Sequence, residues 1–301
     1  MTTTQPERAT IRDYLILTKP RVISLLLFTT IGAMFVAAGG FPGWIKFIGI
    51  LVGGYMSAGA SGVYNMIYDR DIDQHMKRTA TRPMVREVVS TKNAFIFAIA
   101  LTILSGVVIW ASSNLLAALL SYAGMAFYVL VYTMWLKRTT WHNIVIGGAA
   151  GSFPPLVGWA AVTGELSLLA WILFIIIFVW TPVHFWALAL MINQDYQNVG
   201  VPMAPAVIGE YRTTMQIVMY TVFTVIFTVL PFFTDNFSIW YLIAVLAINA
   251  VLVLRVRDLV RVAKAGEKID RATALPLYKY SMSYLALFFL VMALDRIIFL
   301  A

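Results

Sequence analysis

The sequence contains no cysteine and only three histidines among 301 residues, and charged residues make up just 12% of it. Without cysteine, disulfide bonds, thiolate metal sites and cysteine nucleophiles are all excluded. An average soluble domain is about 25% charged, so this scarcity of charge argues against a soluble globular protein. Hydrophobic residues account for 61% of the chain, which indicates a protein embedded in a membrane.

Long stretches without Asp, Glu, Lys or Arg predict where the chain crosses the membrane. A spanning helix needs about 20 consecutive apolar residues, and a charge at its centre costs about 2.5–3.5 kcal/mol. The stretch from 93 to 136 is long enough for two spans, and Ser112-Ser113-Asn114 predicts a turn between them. We therefore expect an all-α polytopic membrane protein with nine transmembrane helices around a central cavity, forming one domain over residues 1–301. The charge-free stretches are 22–45, 47–68, 93–136, 139–164, 166–194, 213–234, 236–254 and 280–294.

Basic residues fall almost entirely on one side of the membrane in this arrangement. With the N-terminus in the cytoplasm, all of the 22 Lys and Arg residues except Lys46 and Arg296 lie in cytoplasmic segments, as the positive-inside rule requires. Nine spans then put the C-terminus on the opposite side. We expect a cytoplasmic N-terminal segment at 1–21 and cytoplasmic active-site loops at 65–92 and 191–212. The same rule accounts for the net charge of +8 without a nucleic acid partner.

A polar stripe marks the end of the second predicted span. Asn65, Asp69 and Asp73 are spaced four residues apart, so on a helix each lies about 40° round and about 6 Å along from the last. Asp71 falls on the opposite face, where Arg70 or solvent can pair with it. Two carboxylates and an amide oxygen suit Mg²⁺, which takes oxygen ligands and completes its shell with substrate phosphates. A solvated helix end is the alternative, but a buried amide without an evident partner favours a site.

Basic residues follow the stripe directly. Lys77 continues it by one turn, and Arg78 and Arg82 are one turn apart if the helix persists. Because Arg binds phosphate oxygens in a bidentate manner, a metal flanked by these cations predicts a diphosphate site. Lys137 and Arg138, in a short inner loop, are further diphosphate-binding candidates. Topology alone explains part of this basic pattern.

These residues resemble a known family. The pattern Asn65-xxx-Asp69-xxx-Asp73 followed by Arg78-Thr79-xx-Arg82-Pro83 is similar to the first aspartate-rich motif of the UbiA-type intramembrane prenyltransferases. Further segments resemble the haem-farnesylating branch of that family, and the resemblance covers essentially the whole chain. These segments are Leu17-Thr18-Lys19-Pro20-Arg21-Val22, His184-Phe185-Trp186 and Asp195-Tyr196-xxx-Gly200-Val201-Pro202-Met203.

The resemblance implies an enzyme that transfers the farnesyl group of farnesyl diphosphate to a vinyl group of haem b. Addition of water would give haem O, and pyrophosphate would be released, so haem b is a substrate rather than a cofactor. The implied setting is a bacterial cytoplasmic membrane with the active site facing the cytoplasm. A downstream haem-modifying enzyme or terminal oxidase would receive the product.

The resemblance also implies a Mg²⁺ cofactor held by Asn65, Asp69, Asp73 and Asp195, all four with catalytic roles. The second motif of the family usually has two acids four residues apart, but only Asp195 is acidic in the corresponding segment here. The number of metal ions is therefore left open.

His184 lies in the sixth predicted span and has two interpretations. It is either a haem-binding residue, as iron ligand or propionate donor, or the partner in an interhelical hydrogen bond. His184 and Asp195 are eleven residues apart, so both would face one cavity if the helix continues between them.

Two other functions are compatible with the pattern. One is a prenyltransferase acting on another aromatic acceptor, such as a quinone precursor. The other is a cation-coupled membrane transporter, which would use polar groups near the membrane midplane and paired broken helices. The acids here cluster at one membrane face, which favours the enzyme.

Overall fold

The computed structural model describes residues 9–234 and 237–299 of the chain. Within those ranges, nine helical spans are long and apolar enough to cross a membrane, which confirms the expected nine-span, all-helical fold. Residues 1–8 of the expected N-terminal segment and the C-terminal Ala301 lie outside the described ranges. The spans are Pro20–Ala38, Trp44–Tyr68, Thr91–Ser112, Leu115–Thr139, Asn143–Thr163, Leu168–Met191, Glu210–Thr234, Ile239–Lys264 and Arg271–Phe299.

Several spans contain more than one helical element. The fourth changes from α-helix to π-helix over Phe127–Leu136, and the seventh ends in a 3₁₀ turn over Leu230–Thr234. In chain order the α-helices are α1 (Ile11–Leu17), α2 (Pro20–Ala38), α3 (Trp44–Tyr68), α4 (Arg70–Asp73), α5 (Thr91–Ser112), α6 (Leu115–Ala126), α7 (Lys137–Thr139), α8 (Asn143–Gly147), α9 (Ala149–Thr163), α10 (Leu168–Met191), α11 (Asn193–Asn198), α12 (Ala204–Val207), α13 (Glu210–Val229), α14 (Ile239–Lys264) and α15 (Arg271–Phe299).

The long apolar stretch between 93 and 136 divides where its polar residues predict. Asn114 is the N-cap of α6, and its side-chain oxygen accepts a hydrogen bond from the Ala117 amide at 2.9 Å. Its side-chain nitrogen donates to the Ala160 carbonyl of α9 at 2.7 Å. Asn114 therefore begins one helix and ties that helix to another.

Consecutive spans are neighbours, and cross-contacts close the bundle. Helix α2 packs against both α9 and α15, and α10 packs against α9, α13 and α15. The α2–α9 contact is close, because a Cβ atom on Gly158 would lie 2.2 Å from the Thr30 carbonyl oxygen. Small residues at such crossings allow helix backbones to approach in a membrane. Helix α10 is the most enclosed of these spans, with 16 of its 24 residues buried, so it forms the centre of the core.

Helix α14 is longer than the charge-free stretch 236–254 predicted. It continues to Lys264, and its last turns carry exposed Arg255, Arg257 and Arg261. Lys and Arg are good helix formers, so the helix persists after the apolar sequence ends. The last turns of this span therefore present basic side chains.

The end of the bundle opposite the acidic stripe, which we call the distal end, contains charged residues that connect helices. Asp295 of α15 is 4% exposed and accepts hydrogen bonds from the backbone amide of Ser238, at 2.8 Å, and from its hydroxyl. Ser238 is the N-cap of α14. Near the start of α3, Lys46 donates to the Val162 carbonyl of α9 at 3.0 Å. Both side chains hold neighbouring helix ends together.

Candidate active site

The helical hydrogen-bond pattern continues through Asn65, Asp69 and Asp73, although one helix ends and another begins at Asp69. Helix α3 ends at Tyr68, and α4 begins at Arg70. The Asp69 amide bonds to the Asn65 carbonyl and the Asp73 amide to the Asp69 carbonyl, both at 2.9 Å. The three side chains are at most 4% exposed. The structure therefore brings two carboxylates and an amide together in a buried position.

The Asn65 amide has partners on both of its polar atoms, so the expectation that it lacks one is wrong. Its oxygen accepts from the Lys19 ammonium at 2.5 Å. Its nitrogen donates to Asp69 Oδ2 at 2.7 Å and to Thr133 Oγ1 at 3.1 Å. Lys19 and Thr133 are distant in sequence, and for that reason the local pattern did not reveal them.

The two carboxylate oxygens of Asp69 differ in the hydrogen bonds that they accept. Oδ2 accepts from Asn65 and from the Lys137 ammonium, the latter at 2.5 Å. Oδ1 is buried and accepts no hydrogen bond from any described residue, although an Arg138 nitrogen lies 3.7 Å away. Buried polar atoms are nearly always paired, so this carboxylate oxygen is suited to a metal ion. The residues present thus fit the Mg²⁺ that the sequence predicts.

Asp73 pairs with Arg82, because the chain turns back after α4. The Thr79 hydroxyl donates to the Asp73 carbonyl at 2.8 Å, and the Arg82 guanidinium then reaches the Asp73 carboxylate. The expectation that Lys77 continues the stripe on a longer helix is wrong, since α4 ends at Asp73. Lys77 and Arg78 are exposed and form no ion pair within the described ranges.

Asp71, expected on the face opposite the stripe with Arg70 or solvent as its partner, pairs instead with Arg138, which also lies 3.7 Å from Asp69 Oδ1. Two Arg138 nitrogens bind the two oxygens of Asp71, both at 2.7 Å. These hydrogen bonds hold the pKa of Asp71 below its usual value. Arg70 pairs with Glu87 at 2.5 Å instead. The Arg138 guanidinium also lies 4.8 Å from the ring centre of Tyr68, so it is fixed beside the acidic loop.

The fourth span supplies its polar groups from a π-helix. Thr133 lies in this segment and Lys137 directly follows it, and they contact Asn65 and Asp69 respectively. Two residues four apart on the fourth span thus contact two residues four apart at the end of α3, Asn65 within the helix and Asp69 directly after it. π-Helical segments are rare and often occur at functional sites. Tyr128 and Tyr132 of the same segment stack with ring centres 5.4 Å apart.

Asp195 is not brought into one cluster with Asp69 and Asp73. Among the described residues, no group of three His, Cys, Asp or Glu side chains is arranged to hold a metal ion. Asp195 also forms no ion pair in the described part of the chain. Its neighbour Tyr196 is buried, and that burial raises its pKa, with Arg78 acting in the opposite direction. The acids of the two loops thus do not form one metal-binding group in the described part of the chain.

His184 is bonded to another helix, and the expectation that it shares one continuous helix with Asp195 is wrong. Helix α10 ends at Met191, and a new helix, α11, starts at Asn193. The His184 ring stacks between Trp180 and Tyr278, at 4.8 and 4.9 Å. Its Nδ1 atom lies 2.8 Å from the Ser281 hydroxyl of α15. The interhelical hydrogen bond that the sequence allowed is thus present.

Lys19 is the site residue that sequence reasoning missed. It belongs to the Leu17–Val22 segment that resembles the haem-farnesylating branch, but nothing in its spacing linked it to the acidic stripe. Its side chain reaches Asn65. Burial lowers the pKa of Lys19 to about 7; Arg82 and Lys137 add to this effect, and Asp69 and Asp73 oppose it. The signals that could have found it are its membership of that segment and its place beside Pro20 at the start of the first span.

Comparison with known proteins supports the family that the sequence resembles. Residues 25–293 match the model of the UbiA prenyltransferase family. A protein from Deinococcus radiodurans named protoheme IX farnesyltransferase is 54% identical over 297 residues, which cover 96% of this chain and 95% of that protein. One of the same name from Thermus thermophilus is 57% identical over 288 residues, 96% of this chain and 46% of the relative. The chain thus spans about half the length of the Thermus relative.

Solved structures share the fold. A digeranylgeranylglyceryl phosphate synthase superposes with a TM-score of 0.77 at 20% identity, covering 95% of this chain and 98% of that one. A UbiA homolog from Archaeoglobus fulgidus bound to DMAPP and Mg²⁺ gives 0.67 at 19% identity, covering 93% and 99%. The chain belongs to the UbiA prenyltransferase family, which confirms the resemblance seen in the sequence.

Proposed function

We propose that this protein transfers the farnesyl group of farnesyl diphosphate to a vinyl group of haem b, giving haem O and pyrophosphate. The observation that carries the proposal is the buried Asp69–Asp73 pair among cations, in a chain 54% identical over nearly its full length to a protoheme IX farnesyltransferase. The bond between farnesyl C1 and the diphosphate oxygen breaks, and its electron pair leaves with the diphosphate. A carbon–carbon bond forms to the vinyl group, and water adds as hydroxyl with loss of a proton.

Asp69 and Asp73 are the proposed centre of the Mg²⁺ site, with Asn65 as a further ligand and Asp195, outside their cluster, as the ligand proposed from the second loop. The buried Asp69 Oδ1, which accepts no hydrogen bond from any described residue, supports this assignment. Mg²⁺ bound there would neutralise diphosphate oxygens. The structure of the Archaeoglobus homolog with DMAPP and Mg²⁺ supports the metal at the level of the family.

The surrounding cations are proposed to stabilise the leaving group. Lys137 and Arg82 already lie beside the two carboxylates, and Arg138 is fixed by Asp71. Fixed positive groups at a site of developing negative charge lower the barrier without reorganisation. Lys77 and Arg78 are exposed and form no ion pair within the described ranges, so both are available to the diphosphate. The apolar bundle keeps bulk water from the allylic cation.

His184 is the proposed haem-binding residue. The Ser281 hydroxyl donates its one proton to the Tyr278 carbonyl at 2.7 Å, so in the 2.8 Å contact it accepts from Nδ1–H of His184. This tautomer leaves a lone pair on Nε2, the form in which histidine ligates haem iron. The hydrogen bond to Ser281 would then orient the ligand.

The proposed setting is the cytoplasmic membrane of a bacterium, with the single domain 1–301 placing segments 1–21, 65–92 and 191–212 in the cytoplasm. The distribution of Lys and Arg residues supports this orientation. The charged diphosphate group of farnesyl diphosphate would then reach the site directly from the cytoplasm. A downstream haem-modifying enzyme or terminal oxidase is the proposed recipient of the product.

The reaction can be tested with purified protein, haem b, farnesyl diphosphate and Mg²⁺, with the porphyrin followed by mass spectrometry. We expect a mass gain of one farnesyl group plus water, which requires Mg²⁺ and is lost in Asp69→Asn and Asp73→Asn. If intact protein gives no haem adduct but prenylates a quinone precursor, the acceptor is wrong. If neither acceptor reacts and cation transport is measured in vesicles, the whole proposal is wrong.

The haem assignment has its own test. We expect His184→Ala to change the haem absorption spectrum and to weaken haem binding while farnesyl diphosphate still binds. Ser281→Ala should have a smaller effect, because it removes only the orienting hydrogen bond. Unchanged haem spectra and affinity in His184→Ala would leave His184 as a purely interhelical contact.

A further inference from the structure

We propose that Lys19 is a further diphosphate-binding residue of this site, held in place by the N-terminal segment before the first span. Its ammonium lies 2.5 Å from Asn65 Oδ1, next to Asp69 in the acidic stripe. This inference rests on the proposed function, because it concerns the same diphosphate. It adds an element from the very start of the described chain to a site otherwise formed by α3, α4 and the fourth span.

The N-terminal segment is packed in a way that leaves Lys19 little freedom. Leu17 and Thr18, directly before it, are 0% and 2% exposed. The Thr18 hydroxyl lies 2.9 Å from the Tyr55 hydroxyl of α3. On the same helix, a Cβ atom on Gly62 would lie 3.1 Å from the Thr18 carbonyl oxygen and 3.2 Å from that of Leu17. The segment therefore rests directly on the α3 backbone, where any side chain at 62 would press against it.

The backbone of Lys19 has an unusual conformation. Its φ and ψ are 59° and 57°, in the left-handed region, and it directly precedes Pro20. Few residues other than glycine adopt this region, and a following proline disfavours helical backbone as well. Such conformations persist only where the surrounding structure enforces them, and they concentrate at functional sites. Here the conformation turns the Lys19 side chain towards Asn65 at the point where α2 begins.

The charges around Lys19 indicate what it would bind. Lys19, Lys137 and Arg82 contact the stripe, whereas Asp69 and Asp73 supply only two negative charges. Three basic side chains, each partly exposed, against two buried carboxylates leave the site short of negative charge. An anionic ligand would supply it, because charges withdrawn from bulk water are stabilised by an opposite partner. The Lys19–Asn65 contact uses one of three ammonium donors, which leaves donors for phosphate oxygens.

A binding experiment separates this role from a merely structural one. We would measure equilibrium binding of inorganic pyrophosphate and of farnesyl thiolodiphosphate, with Mg²⁺, to the full-length protein. For Lys19→Met we expect affinity for both to fall about 10- to 100-fold, the effect of losing one charge-assisted hydrogen bond. Lys19→Arg should recover part of it. Arg21→Met, at an exposed position two residues along, is the matched control and should bind as the wild type does.

Haem binding and thermal unfolding are measured on the same preparations. We expect Lys19→Met to keep haem affinity, since only the diphosphate part of the site changes. Equal pyrophosphate affinity in Lys19→Met and wild type would overturn the inference and leave Lys19 as a support for Asn65. Failure of the wild type itself to bind either diphosphate would instead overturn the proposed function.

A second variant covers the case in which Lys19→Met does not fold. Gly62→Ala keeps the charge but pushes against the Thr18 and Leu17 carbonyls, so it should shift Lys19 and lower pyrophosphate affinity several-fold. Gly151→Ala is the control, because a Cβ atom there would meet nothing within 4 Å. Unchanged affinity in Gly62→Ala, beside an unchanged control, would count against Lys19.

Discussion

Asp69 and Asp295 are both buried carboxylates at helix ends, but they lie at opposite ends of the bundle and have different surroundings. Both oxygens of Asp295 accept hydrogen bonds from Ser238 at the start of α14. Asp69 has two donors on one oxygen and, among the described residues, none on the other. A carboxylate with every bond satisfied holds helices together, whereas one with a spare oxygen among cations is prepared for a ligand.

The largest contrast should come from neutralising these two acids. We expect Asp69→Asn to reduce turnover by on the order of 10²–10³-fold, as when one preorganised electrostatic group is removed. Asp295→Asn should keep turnover per folded molecule but lower stability by about 1–3 kcal/mol, because a buried capping acceptor is lost. Mass-spectrometric turnover and thermal unfolding in detergent would check both. Similar turnover in the two variants would show that the two carboxylates do not differ in their contribution to catalysis.

A smaller contrast should come from the lysines. Lys137→Met removes the cation on Asp69 Oδ2 and should weaken farnesyl diphosphate binding about 10- to 100-fold, as for a lost charge-assisted hydrogen bond. Lys46→Met removes only a bond to the Val162 carbonyl at the distal end and should leave that affinity unchanged. Equilibrium binding of farnesyl thiolodiphosphate measures both. A loss of affinity in Lys46→Met would contradict the assignment of the distal end to structure alone.

The smallest difference between the two ends of the bundle should come from removing single hydroxyl groups. Thr133→Val removes the hydroxyl that accepts from Asn65, and we expect it to lower turnover only a few-fold, since a neutral hydrogen bond contributes about 0.5–1.5 kcal/mol. Thr163→Val, which loses a bond to the Trp159 carbonyl at the distal end, should not change turnover. Steady-state kinetics on matched amounts of folded protein would show the difference. Equal kinetic constants in the two variants would show that turnover does not depend on the hydrogen bond between Asn65 and Thr133.

The nine spans and the acidic stripe could be predicted because they depend on local pattern. Charge-free stretches locate spans from the energy of insertion, and a four-residue spacing survives wherever backbone hydrogen bonds of the same period continue, as they do through Asp69. The break within 93–136 could likewise be predicted, because Ser112-Ser113-Asn114 interrupts an apolar stretch.

Contacts between distant segments could not be predicted in the same way. Lys19 and Lys137 reach the stripe from 46 and 68 residues away, and no periodicity encodes a partner at that distance. The pairing of Asp71 with Arg138 was missed for the same reason, because Arg70 was nearer in sequence. The end of α4 at Asp73 was also missed, since side-chain bonds such as that of Thr79 decide it.

The π-helix over Phe127–Leu136 makes the length of the fourth span part of its chemistry. Deleting a single residue from the α-helical turns that precede it, in α6, would turn everything that follows by about 100° and shift it by about 1.5 Å. Lys137 and Arg138 would then point away from Asp69 and Asp71, although every residue of the site was still present. Insertions and deletions in this apolar stretch, where hydrophobicity alone would tolerate them, should therefore be as damaging as the loss of a charged side chain.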